Sequence, residues 1–214
     1  MASSTPTKPQ SAEQDPDTLS RLGGWLFKHR TSIPLPIVLV LLIVPSTPLP
    51  SPLSTSLAAV GVLIVVAGEL LRLWAVHQIG VISRTRSDRL GPLVDTGPFS
   101  LVRNPLYLGN ILIWLGFAIS ARLYWLAPLV VLLLAIEYHA IVRWEERLLE
   151  SRLGAAYRAY TERVPRWLPL MRAPARGPLS PAFSWTQTFY SERGTLIAIA
   201  VGYGLLALKA RSGA

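Results

Sequence analysis

LAAVGVLIVVAGELLRLWAVHQI, residues Leu57 to Ile79, reads as one continuous helix embedded in hydrocarbon. A bilayer-crossing helix needs about 20 consecutive, predominantly apolar residues. This run supplies them, interrupted only by Glu69, Arg72 and His77. Downstream, Val81 to Asn104 is a charged connection containing Gly91-Pro92 and Gly97-Pro98. Pro105–Ser120 is apolar again, and only Ala121-Arg122 separates it from the apolar stretch Leu123 to about Val142. So short a link predicts an antiparallel helical hairpin. From Arg143 to Tyr160 the sequence turns charged while Leu148, Leu149, Leu153, Tyr157 and Tyr160 keep helical spacing, which predicts an amphipathic continuation. Gly194–Leu208 is a last apolar stretch, short for a span. Upstream, Pro45–Ser56 is uncharged and Pro-rich and reads as a loop. Ile33–Val44 is apolar but reaches bilayer length only if extended back through Leu22–Phe27. Residues 1–20 read as a disordered polar tail, and no signal peptide is expected.

Composition supports this reading. Of 214 residues, 51% are hydrophobic and 15% charged, against roughly 25% charged in soluble domains. The absence of Cys excludes a disulfide scaffold, a Cys-ligated zinc or iron–sulfur site and a thiol nucleophile. The formal charge of +9 would suit nucleic acid, but the basic residues form no contiguous block. They alternate between connections instead. Lys8, Arg21, Lys28 and Arg30 precede the first span, Arg84, Arg86, Arg89 and Arg103 follow the second, and nine Arg fall within 143–193. The Pro45–Ser56 loop has none and the hairpin tip has Arg122 alone. This is the positive-inside pattern, and it predicts a cytoplasmic N-terminus, 81–104 connection and 143–193 segment. The expected fold is therefore an all-α, polytopic membrane bundle with four to five transmembrane helices plus a cytoplasmic amphipathic helix. Its parts are a tail (1–20), a membrane core (21–175) and a C-terminal linker with an apolar helix (176–214). The expected partners are membrane lipids and a lipophilic or lipidated substrate, with no nucleic acid.

Ionisable groups inside spans are costly and are functional candidates. Glu69 and Arg72, three apart, share a helix face. Two readings stand: a self-neutralising ion pair, or a Glu that positions Arg72 for an anionic group, since its planar fork can bond both oxygens of a carboxylate. His77 reads as interfacial, and Glu137 as buried against a partner. Glu145-Glu146 among arginines reads either as a solvated face or, at the depth of the Gly91–Asn104 loop, as one wall of a pocket. No internal repeat is visible, which argues against a small transporter, although a non-catalytic transporter or scaffold is the alternative of another class.

GPLVDTGPFSLVRNPLYLG (Gly91–Gly109), EERLLESRLGAAYRAYTERVP (Glu145–Pro165) and GELLR (Gly68–Arg72) together resemble the isoprenylcysteine carboxyl methyltransferase family, which shares its pattern with phospholipid methyltransferases. The resemblance covers about 68–170. It implies an integral-membrane methyltransferase using S-adenosylmethionine, with a cofactor site within 84–165 and no metal. By the same resemblance, Gly91, Pro92, Leu93, Val94, Phe99, Arg103, Asn104, Pro105, Leu106, Tyr107, Glu145 and Glu146 are the expected cofactor-binding set. Arg72, with Glu69, is expected to meet a substrate carboxylate. Asn104 stands where the family has His, Phe99 where it has Tyr, and Ile141 where the eukaryotic carboxyl methyltransferases have Arg. The implied reaction is methylation of an isoprenylcysteine-type carboxylate, with a phospholipid amine as the alternative acceptor.

Overall fold

The computed structural model describes residues 18–79, 93–171 and 184–212. Among them there are seven α-helices, one short 3-10 turn (Gly97–Ser100) and no strands. The helices are α1 (Thr18–His29), α2 (Leu35–Ile43), α3 (Ser51–Ile79), α4 (Pro105–Ser120), α5 (Ala127–Leu153), α6 (Ala155–Arg163) and α7 (Trp185–Ser212). Three of them, α3, α5 and α7, are long and apolar enough to cross a membrane, and α4 is a shorter apolar helix. The helical membrane bundle is thus the observed architecture.

Several boundaries differ from the sequence expectation. Helix α3 begins at Ser51, so Ser51–Ser56 is helix and not loop. Pro52 lies in the first turn, where an N–H would have no partner anyway, and Ser54 N–H already bonds to Pro50 O at 3.0 Å. The stretch Leu22–Val44 is not one helix. Pro34 and Pro36 lack the N–H groups that would continue α1, and the chain breaks between His29 and Leu35. The amphipathic segment after the hairpin is two helices, split at Gly154 with φ +53°. The final apolar stretch starts earlier than expected. Ser184 and Gln187 bond reciprocally, Gln187 N–H to Ser184 Oγ at 3.2 Å and Ser184 N–H to Gln187 Oε1 at 3.3 Å. This capping box sets the start of a 28-residue α7.

Helices α3 and α4 make the closest packing. Gly61 faces Gly116 and Gly68 faces Gly109, where an added Cβ would come within 2.5–2.8 Å of the opposing backbone carbonyl. Small residues at such crossings let membrane helices approach backbone to backbone. Helix α5 closes the hairpin, and the core fills with Val65, Ile113, Phe117, Val130, Leu134, Tyr138 and Ile141. Helix α1 packs on α5 through Gly23, Gly24 and a Phe27–Trp144 ring contact at 5.0 Å. The end of α3, the 93–104 segment, α6 and the start of α7 meet at one end of the bundle. The hairpin tip, the end of α2 and Lys209 meet at the other.

Candidate active site

Arg72 is the centre of a buried polar cluster. Gly68 brings α3 onto α4, and Gly109 leaves room for the Arg72 stem, whose Cγ would lie 2.6 Å from an added Cβ. The Glu69 carboxylate lies 3.6 Å from Arg72 Nε within the same helix. A stronger partner comes from α7: Glu192, fully buried, accepts from Arg72 Nε at 3.1 Å and Nη2 at 2.6 Å on one oxygen. Arg72 Nη1 also donates to Asn110 Oδ1 at 2.5 Å, and Nη2 to Thr195 Oγ1 at 3.1 Å. The guanidinium therefore joins α3, α4 and α7. His77, one end-turn further on, stacks on Trp185 at 4.1 Å and contacts Thr188 Oγ1 at 3.2 Å.

Glu145 marks a second pole. Its carboxylate stands close to the Tyr107 hydroxyl, and Arg30 from the α1–α2 turn lies near enough to attract it. The Tyr107 ring packs on Tyr138 at 4.9 Å, and the Tyr138 hydroxyl stands close to Asn110, which accepts from Arg72. The two poles thus adjoin one another through the interior.

The 93–104 segment is pinned rather than loose. Gly97 turns at φ +58°, where a Cβ would strike the Gln78 side chain, and Thr96 Oγ1 donates to Gln78 Oε1 at 3.3 Å. Tyr160 donates to the Phe99 carbonyl at 2.8 Å; burial pushes its phenol well above the ordinary range, so it stays protonated and donating. Glu146 sits between Arg103 Nη1 at 3.0 Å and Arg166 Nη2 at 2.6 Å. Its hydrogen bonds hold the Arg166 guanidinium above its usual value. Asn104 donates to the Arg166 carbonyl at 3.2 Å, and Arg103 N–H to the Pro165 carbonyl at 2.9 Å. Pro105 opens α4. Leu93 packs on Tyr157, Tyr160 and Val164, and Val94 and Leu106 are half-buried. Arg103 Nε is buried without a hydrogen-bond partner among the described residues. Gly91 and Pro92 lie outside the described residues.

The sequence-predicted residues thus fall into two linked groups, Glu69–Arg72 and Tyr107–Glu145, with Glu146 and Arg103 clamped beside the second. Sequence reading missed Asn110, Tyr138, Glu192, Thr195 and Arg30. Glu192 interrupts an apolar run with a charge, the same signal that singled out Glu69, but it lay just outside the stretch read as apolar. Glu137 is buried, and its Oε1 has no hydrogen-bond partner among the described residues.

Three helices able to cross a membrane, with a buried Arg–Glu cluster at one end and a carboxylate–tyrosine pole beside it, make the chain a helical membrane protein with an ionised interior. The chain belongs to the phospholipid methyltransferase family, whose sequence model matches residues 57–156. It is similar to the nickel-cobalt-cadmium resistance protein NccN of Alcaligenes xylosoxydans xylosoxydans, 32% identical over 154 residues, covering 70% of this chain and 69% of that one. It is also similar to the cobalt-zinc-cadmium resistance protein CzcN of Cupriavidus metallidurans, 32% identical over 119 residues, covering 56% of this chain and 50% of that one. An uncharacterized protein of Haemophilus influenzae is 40% identical over 63 residues, 29% of this chain and 79% of that one. No solved structure gives a significant match.

Proposed function

We propose that the chain uses S-adenosylmethionine to methylate the polar head of a lipophilic acceptor, a carboxylate of the isoprenylcysteine type. The observation that carries this reading is that Glu145, Tyr107, Tyr138, Asn110 and Arg72 stand each beside the next through the interior. They join the pole that suits a methyl donor to the pole that suits an acceptor.

The donor set fits the cofactor. S-adenosylmethionine carries cationic and carboxylate groups, and this pole offers the Glu145 carboxylate and an Arg103 Nε that has no hydrogen-bond partner among the described residues. When bound, the cofactor would supply an electrophilic methyl group for the acceptor oxygen, the electron pair of the C–S bond remaining on sulfur. A carboxylate already holds its attacking electron pair, so no general base is required. The chain's contribution is then positioning. Arg72 holds the acceptor head in the grip it now gives Glu192, which the acceptor displaces. Tyr138 and Asn110 keep that head in line with Tyr107 and Glu145. The arginine-rich end, with both poles near it, faces the cytoplasm under the positive-inside rule. Esterifying a carboxylate removes an anionic group that attracts cations at a membrane surface, which is how this activity would bear on the metal resistance for which two relatives are named.

A second reading, methylation of a phospholipid amine, is favoured by Glu69 and Glu192 both standing at Arg72, where a carboxylate would take the amine's proton. The test is calorimetric binding of S-adenosylhomocysteine to the detergent-purified protein, paired with a labelled-methyl assay on a membrane lipid extract and a prenylcysteine analogue. We expect binding that Glu145→Gln weakens, and transfer to the prenylcysteine. Absence of binding by the wild type sinks the methyltransferase reading; transfer to lipid amine alone replaces the carboxylate with the second reading.

A further inference from the structure

An apolar groove of about 300 Å³ lies between α2, α4 and α7. Its sides are Leu41 and Leu42 of α2, Ile113 and Phe117 of α4, and Ala198 and Leu205 of α7. Two lining residues are polar, Asn110 and Thr195, and both are hydrogen-bonded to Arg72. They lie at the same end, so the groove begins at the buried Arg72 cluster and runs away from it. From Thr195 to Leu205 it follows α7 for roughly 15 Å, at about 1.5 Å per residue. At the far end Lys209 separates the groove from a second cavity of about 450 Å³, lined by Pro45–Leu49, Arg122 and Leu206. Lys209 Nζ is buried and donates to the carbonyls of Leu41 at 2.8 Å and Val44 at 2.5 Å, and Tyr203 contacts Ser120 at 3.1 Å. The α7 side is open, since Ala198, Val201 and Leu205 are exposed. Two of the three walls, α2 and α7, lie outside the stretch that matches the family.

We infer that this groove binds a single hydrocarbon chain of the methyl acceptor, with the acceptor's head at Asn110, Thr195 and Arg72 and the chain's length limited by Lys209. The assignment rests on the methyltransferase reading above. The polar end is what selects the acceptor's own chain over the tail of a surrounding lipid: only a molecule whose head reaches Arg72 gains both the apolar contact and the head-group bonds. Entry is lateral, along the open side of α7, so the chain never leaves hydrocarbon. A chain longer than the groove would have to displace a buried ammonium from two carbonyls, which is costly in a low-dielectric surrounding. The groove is therefore a ruler as well as a slot.

The test uses the full-length protein in detergent and two acceptor series, S-prenylated N-acetylcysteines and lysophosphatidylethanolamines, each of increasing chain length. Ala198→Phe fills the slot from the open side, and Leu205→Ala widens it. We expect Ala198→Phe to raise the KM of the longest accepted chain at least about tenfold, as loss of well-fitted methylene contacts does. S-adenosylhomocysteine affinity should be unchanged, and Leu205→Ala should move the preferred length upward. Because Trp114 lines the groove, a lysolipid brominated along its chain should quench it in the wild type and less in Ala198→Phe, with Trp114→Phe giving the background. Methyl transfer with the same chain-length profile in all three proteins, or quenching that Ala198→Phe leaves unaltered, overturns the assignment and leaves ordinary surrounding lipid in the groove. A wild type that binds no S-adenosylhomocysteine overturns the methyltransferase reading itself, and this assignment with it.

Discussion

Arg72 is held by a carboxylate from another helix, and this makes Glu192 the most informative residue to change. Its carboxylate is fully buried and takes two donors of the guanidinium on one oxygen. Stripping one partner from such a pair costs about 3–5 kcal/mol because the other charge is left buried, whereas an amide in its place still accepts a hydrogen bond. Glu192→Gln should therefore fold, and its kinetics separate the two acceptors by sign. A carboxylate acceptor that must displace Glu192 gains, so its KM falls several-fold; an amine acceptor that uses Glu192 as proton sink loses kcat instead. Steady-state kinetics on the two acceptor series reads the difference. Arg72→Lys completes the pair: a carboxylate enzyme loses most turnover with the planar fork, while an amine enzyme changes little. That Glu69 and Arg72 need partners was legible in the sequence because charges inside an apolar run demand them. Asn110 and Glu192 were not, since one looks like any polar residue in a helix and the other lies 120 positions from Arg72. Sequence spacing reports neighbours on one helix, not the helix across.

The elements that set this geometry are α3 and α4, and their glycines set it by absence. An added Cβ at Gly109 would lie 2.8 Å from the Gly68 carbonyl and 2.6 Å from Arg72 Cγ. Gly109→Ala must therefore either part the helices or push Arg72 aside, and overpacking of this kind costs about 1–3 kcal/mol. Gly116→Ala meets a comparable backbone contact, 2.5 Å from the Gly61 carbonyl, seven positions further along the helix. Both variants should lose similar thermal stability in detergent, but Gly109→Ala should lose disproportionately more turnover because only it touches Arg72. Equal loss of activity per degree of melting temperature would refute that division. The apolar runs themselves announced α3, α4 and α5, because hydrocarbon burial leaves a plain signature. Their limits were less legible: Pro52 reads as a loop residue unless the first turn is known to tolerate it, and the Ser184–Gln187 capping box escapes a reading of hydrophobicity alone.

Across the whole molecule, α7 is fastened mainly at its ends. Glu192 and Thr195 tie it to Arg72, and Lys209 ties it to the end of α2. Between them its apolar surface is largely uncovered, and the groove opens along that length. The two fastenings are separated by roughly 25 Å of helix, at about 1.5 Å per residue, and share no partner. Contributions from sites so far apart add to within about 0.5 kcal/mol. Glu192→Gln and Lys209→Met should thus each lower thermal stability in detergent, and the double variant by the sum. Hydrogen exchange should rise locally near whichever end has been released. The residues of the Glu145 pole all lie outside α7, so S-adenosylhomocysteine affinity should survive in the double variant while acceptor chain-length preference is lost. A double variant that loses donor affinity in step with stability would mean that α7 holds the entire site together. Retained donor binding with relaxed acceptor choice would mark α7 as the part of the molecule that decides what is methylated.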